Sequence, residues 1–159
     1  MKKLLSLAAI LTLLMTAFTG RVMAQNAFEQ GKTVGFASIL LESGYTPLSL
    51  GFEYGASDQV GVGARLIFVT GSYGGTGLQA FGNYHLAQAF NVSGDKLDPY
   101  IGIGLGKYFV EGSEFFAGLQ LGTRYLVNDQ VGPFAQLNIG VVNSSGATFE
   151  LGVAYKFGR

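Results

Sequence analysis

"GFEYGASDQVGVGARL" (Gly51–Leu66) and "GTRYLVNDQVGPFAQL" (Gly122–Leu137) align without a gap, sharing Gly, Tyr, Asp, Gln, Val, Gly, Ala and Leu at matching positions. Before the centre of each copy, residues alternate between larger apolar groups and small or charged ones. After the centre they alternate again. Successive side chains on a strand point to opposite faces, so this period reads as strand, tight turn, strand. The turns fall at Ser57-Asp58 and Asn128-Asp129. Asp and Asn favour such positions by bonding their own backbone. Tyr54 and Tyr125 stand just before the turns, on the face that carries the large apolar residues.

Reading outward with the same period, 48–54, 60–70, 78–86, 100–109, 115–125, 131–141 and 149–157 each alternate in the same way. A tilted strand needs roughly ten residues to cross a bilayer, and these segments have about that length. The stretch 33–42, "TVGFASILLE", is apolar on both faces and could be a helix or a buried strand. A sheet in lipid leaves no open edge, because unpaired backbone groups find no water there. Closure of an antiparallel barrel with both termini on one side needs an even number of strands. The expected fold is therefore all-β: a closed eight-stranded antiparallel transmembrane β-barrel, with 33–42 as its first strand.

Composition agrees. There are 25 glycines, three prolines and no cysteine. Mean hydropathy is +0.34, yet after residue 24 no apolar run approaches the length of a membrane helix. A barrel reconciles the two, since every second residue faces lipid. The first residues have the layout of a secretory signal peptide: Lys2 and Lys3, the apolar run Leu4 to Phe18, then Val22-Met23-Ala24 before a cut at Gln25. The expected division is 1–24 signal peptide, 25–32 a short N-terminal segment, and 33–159 barrel. The mature part then has seven Lys/Arg against ten Asp/Glu, a formal charge of −3. With no basic patch, nucleic acid is not an expected partner.

"DPYIGIGLGKYF" (98–109), "LQLGTRYLVNDQVGPFAQLNIG" (119–140) and "FELGVAYKF" (149–157) resemble the small OmpA/OmpX-like outer-membrane β-barrel family of Gram-negative bacteria. The likeness covers most of 33–157, and the G-x-R-Y…D-Q…G-P-F-A run is its most specific part. It implies location in the cell outer membrane, termini and short turns on the periplasmic side, surrounding outer-membrane lipids, and insertion by the barrel assembly machinery. The closing row Phe149, Leu151, Val153, Tyr155 and Phe157 fits the terminal strand which that machinery favours. Relatives that bind host surfaces use long outer loops. Here the corresponding connections, 43–46, 71–76, 111–113 and 143–146, are short, and the longest, 88–98, falls on the periplasmic side.

Period two also sorts the polar residues. Glu53, Arg65, His85, Gln120, Arg124, Gln136, Glu150 and Lys156 fall on the inward face. Glu53 and Arg124 hold the same place in the two aligned copies. They sit on strands two and six, opposite each other in a ring of eight. They are expected to meet near the terminal end of the lumen, with Lys156 beside them. Eight strands enclose little more than their own side chains, and buried charges must pair, so a structural ion network is the leading expectation. Tyr54, Tyr84, Tyr125, Tyr155 and Phe157 are the expected interface aromatics.

His85 is the single histidine, too few for a zinc site with ordinary ligands, and no metal or cofactor is expected. The His and Ser two apart that outer-membrane lipid A deacylases carry is missing, since Leu86 and Ala87 follow His85. The glycines of "GIGLGK" (102–107) match neither phosphate-binding spacing. They make room on the inner face for large neighbours such as Phe81 and Phe116. Lys107 falls on the outward parity near the outer rim, with two readings open: snorkelling to a lipid phosphate, or a bulge that turns it inward.

The leading functional reading is a non-enzymatic, monomeric, integral outer-membrane barrel with a structural or envelope role and a filled lumen. One alternative is a barrel that binds or passes a small solute or lipid. A second is a soluble, secreted, lipocalin-like barrel, which the outward Leu, Phe, Val and Tyr rows oppose.

Overall fold

The computed structural model describes residues 28–42, 46–69, 74–87, 96–109, 114–128, 130–143 and 146–157. The expected signal peptide, most of the 88–98 connection and Asp129 lie outside the described residues. Eight strands follow in order: β1 (Thr33–Leu41), β2 (Leu48–Gly55), β3 (Val60–Val69), β4 (Gly75–His85), β5 (Leu97–Phe109), β6 (Phe115–Tyr125), β7 (Val131–Val142) and β8 (Gly146–Phe157). Each pairs antiparallel with its sequence neighbours, and β1 pairs with β8 from Thr33↔Phe157 to Leu41↔Phe149. The barrel is closed, so no strand presents an unpaired edge.

The ambiguous 33–42 stretch is therefore a strand. Its two apolar faces have different neighbours: Val34 and Leu40 are buried inside, while Ile39 and Leu41 are exposed outside. Three strands start earlier than the periodicity suggests, at Gly75, Leu97 and Gly146. The openings Gly75-Thr76-Gly77 and Gly146-Ala147-Thr148 have too little apolar contrast to show alternation. Ladder pairing with β3 and β7 extends them. The early start of β5 places Asp98 on an inward position.

The repeated sixteen residues form the β2–β3 and β6–β7 hairpins, and the two turns share one bonding pattern. Ala56 and Ser57 N–H donate to Val60 O at 2.9 and 3.1 Å; Val127 and Asn128 N–H donate to Val131 O at 2.9 and 3.4 Å. Ser57 Oγ accepts from Gln59 and Val60 N–H, as Asn128 Oδ1 does from Gln130 and Val131 N–H. The local bond thus comes from the residue before the aspartate. Asp58 Oδ1 instead accepts from Gln30 N–H at 3.1 Å.

One irregularity breaks the ladder. Between Ala117 and Gly118 the β6–β7 register shifts, pairing Ala117 with Val142 and Gly118 with Gly140. Val141 is the extra residue of a bulge, and both Val141 and Val142 face outward. Asn143 follows with φ 50°, a left-handed conformation that Asn tolerates. Pro133 lies at an outward position of β7, opposite Val153.

Outside, the wall is apolar. Ile103 and Leu105 are 62% and 65% exposed, and rows of Leu, Val, Phe and Tyr continue around the barrel. Tyr54, Tyr84, Tyr125, Tyr155 and Phe157 are all exposed, on strands that end on the side of the termini. Phe109, Phe115 and Phe149 are exposed toward the far end.

Candidate functional site

The lumen holds two polar layers with aromatic rings between them. The layer toward the far end centres on Glu150, which is fully buried. Its Oε1 accepts from Ser38 Oγ at 2.6 Å. Its Oε2 accepts from Arg65 Nη1 at 2.6 Å, Asn138 Nδ2 at 3.0 Å and Gln136 Nε2 at 3.2 Å. Arg65 also donates from Nε to Gln79 Oε1 and from Nη2 to Asn138 Oδ1 at 3.1 Å. Gln120 Nε2 donates to Gln79 Oε1 at 3.4 Å. A buried carboxylate this well supplied with donors needs no water to offset its desolvation.

The layer toward the terminal end centres on Glu53, 1% exposed. Arg124 Nη2 donates to Glu53 Oε2 at 2.7 Å, and Asn83 Nδ2 donates to Oε1 at 2.8 Å. His85 bridges two carboxylates: Nε2 lies 3.1 Å from Glu53 Oε1 and Nδ1 lies 2.7 Å from Asp98 Oδ1. Both nitrogens can donate only when the ring carries two protons. Arg124 Nη1 stands 3.4 Å from Asp98 Oδ2, as an ion pair without a hydrogen bond. The strands thus bury three cations, Arg65, Arg124 and Lys156, against three anions, Glu53, Asp98 and Glu150.

Tyr100 links the layers. Its hydroxyl donates to Gln136 Oε1 at 2.9 Å, and its ring lies 5.7 Å from the Arg124 guanidinium carbon. Gly122 has no side chain to oppose it: a Cβ there would collide with the Tyr100 phenol. Phe36, Phe81 and Phe134 pack between the layers. The glycines of β5 also face bulk, though not all the neighbours expected. Gly106 accommodates Phe116, whereas Gly102 and Gly104 accommodate the Asn83 and Gln79 amides. A cavity between the layers measures about 10 Å³, on the order of one water molecule.

The terminal mouth is capped by the segment before β1. Phe28 lies flat on the His85 ring, with centroids 3.5 Å apart and planes 9° apart. Gly31 N–H donates to Gly55 O at 2.8 Å and Gly55 N–H to Lys32 O at 2.9 Å. Gln30 bonds Asp58 and Ala56 of the β2–β3 turn. A Cβ on Gly55 would strike the Glu29 carbonyl, so this strap passes only because residue 55 is glycine. Lys156 Nζ reaches Glu29 Oε1 at 3.5 Å. Lys156, expected beside Glu53 and Arg124, is buried on the inward face of β8 and makes this contact with the strap.

The structure brings Glu53, His85 and Arg124 into one cluster and Arg65, Gln120, Gln136 and Glu150 into the other. Sequence reading missed Asp98, Phe28 and Glu29. Stepping the inward parity of β5 back from Tyr100 would have found Asp98. Phe28 and Glu29 carry no periodic signal, because the strap is irregular. No group of His, Cys, Asp and Glu suited to a metal occurs among the described residues.

No protein-family model matches this chain, and no curated protein matches it in sequence. Solved structures do match its fold. The N-terminal β-barrel domain of Pseudomonas aeruginosa OprF aligns with a TM-score of 0.66 at 18% identity, covering 80% of this chain and 98% of that one. A de novo designed transmembrane β-barrel aligns with a TM-score of 0.66 at 13% identity, covering 85% and 100%. The designed barrel TMB2.3, solved by solution NMR, aligns with a TM-score of 0.64 at 18% identity, covering 84% and 99%. At these identities the likeness establishes a common fold: the closed eight-stranded barrel.

Proposed function

We propose that this chain is an integral outer-membrane barrel with a structural role in the envelope, exported by a cleaved signal at 1–24 and folded from 33–159 as a monomer. One observation carries the reading. The outward positions of a closed barrel are apolar almost without exception, while paired charges fill its inside. In water this distribution would be inverted, as a soluble lipocalin-like barrel requires. In lipid it is the favourable one. The fold shared with transmembrane barrels supports it. Its surroundings are then outer-membrane lipids, and the barrel assembly machinery inserts it.

The filled lumen favours a wall element over a conduit. The cavity between the two polar layers, near the size of one water, admits neither a solute nor an acyl chain. The histidine is likewise held by two carboxylates and a stacked ring, an arrangement that fixes it in place.

The test is gel mobility of the outer-membrane fraction, unboiled against boiled, followed by planar-bilayer recording. A heat-dependent shift in the membrane pellet with no steady conductance is expected. A single unshifted band in the soluble periplasmic fraction would refute the membrane reading. A shifted band with steady conductance would transfer the role to solute passage.

A further inference from the structure

Seven charged residues lie within the eight strands, and six of them, Glu53, Arg65, Asp98, Arg124, Glu150 and Lys156, are buried toward the lumen. The seventh, Lys107 of β5, points outward. It shares the parity of Ile101, Ile103, Leu105 and Phe109, all exposed on the wall. Its ladder partners are Leu78 of β4 and Phe115 of β6, both outward as well. Phe109 ends β5 and Phe115 begins β6, so Lys107 stands one pleat inside the far rim.

The ammonium is held between rings, with Nζ 5.0 Å from the Phe115 centroid and 5.9 Å from that of Phe109. Ring faces offset only part of the cost of placing a cation against hydrocarbon. No carboxylate among the described residues forms an ion pair with it. An ammonium has three N–H groups to donate, and here the rings offer them only π-faces. No described residue supplies an acceptor for them, and the outward position of Lys107 turns it toward an anionic acceptor beyond the barrel wall. That acceptor must also be joined to apolar bulk, because the flanking residues Leu78, Leu105, Phe109 and Phe115 continue the lipid-facing wall. A phosphate on a lipid meets all three conditions; free phosphate meets the first two only.

We propose that Lys107, Phe109 and Phe115 form a headgroup site for a phosphate-bearing anionic lipid at the rim farthest from the termini, for which phosphatidic acid serves as the probe. The long stem of Lys107 runs along the wall and lifts its ammonium to the phosphate. The two rings pack against the lipid just below the headgroup. The site rests on the membrane reading above.

Native mass spectrometry of the folded mature chain tests it, with dioleoyl phosphatidic acid and dioleoyl phosphatidylcholine offered together in detergent micelles. A heat-dependent gel shift first establishes that each sample is a folded barrel. Failure there counts against the membrane reading and is separate from the lipid result. The wild-type barrel is expected to retain phosphatidic acid in preference. Lys107→Met should reduce that retention by about fivefold, the effect of one basic group near an anionic surface. Lys107→Arg should keep it. Equal retention by wild type and Lys107→Met, or no preference for phosphatidic acid in any folded sample, would overturn the proposal.

Discussion

The Glu53–Arg124 pair shows what a buried ion pair contributes at the scale of single residues. Removing one partner leaves the other charged in a site with no room for more than about one water. Glu53→Gln should therefore cost about 3–5 kcal/mol in urea unfolding from lipid vesicles, as breaking a buried pair commonly does. The double variant Glu53→Gln/Arg124→Met should be more stable than the sum of the two single losses implies. Strict additivity in that cycle would show that the pair is not coupled. Both residues were legible from the sequence, because period two puts them inside and the duplicated hairpin puts them opposite. Their partners were less so. His85 gave its facing but not its stacking on Phe28, and Tyr100 stood on the inner face without a sign that it bridges two layers.

Among elements, the strands were readable and the strap was not. Strand alternation is imposed by two different solvents on two faces, so it is written into composition wherever the faces contrast. It fades where glycine and threonine open β4 and β8, and there the strands begin earlier than the alternation shows. The strap Phe28–Lys32 is held by backbone bonds to Gly55, by the bonds of Gln30 to the β2–β3 turn, by the Glu29 contact with Lys156 and by one stacked ring, none of which needs a periodic sequence. Its part in closing the mouth can be tested from two sides. Phe28→Ala removes the ring, and Gly55→Val pushes the strap away without altering it. Since the chain has no cysteine, Asn83→Cys supplies a single thiol beneath the cap. Its labelling by a membrane-impermeant maleimide should be slow in the otherwise unaltered chain and faster with either second change, while the gel shift persists. Unchanged labelling in both would show that the strap does not close the mouth.

For the whole molecule, the partition of charge distinguishes the two halves of the ring. β1 to β4 carry Glu53, Arg65 and His85; β5 to β8 carry Asp98, Lys107, Arg124, Glu150 and Lys156. Each of Glu53–Arg124, Arg65–Glu150 and His85–Asp98 spans from one half to the other. The duplicated hairpin supplies near-equivalent backbones, but the side chain at its third position is an acid in one copy and a base in the other. Two first halves brought together would set Glu53 against Glu53, and two second halves would set Arg124 against Arg124. The barrel is in this sense a heterodimer written on one chain, with its pairing rule placed where a mistaken partner would be most costly. Fragments divided between residues 87 and 96 should accordingly refold together into a heat-modifiable complex, and neither should do so with a second copy of itself. A like-with-like barrel from either fragment would show that the charges do not set the pairing.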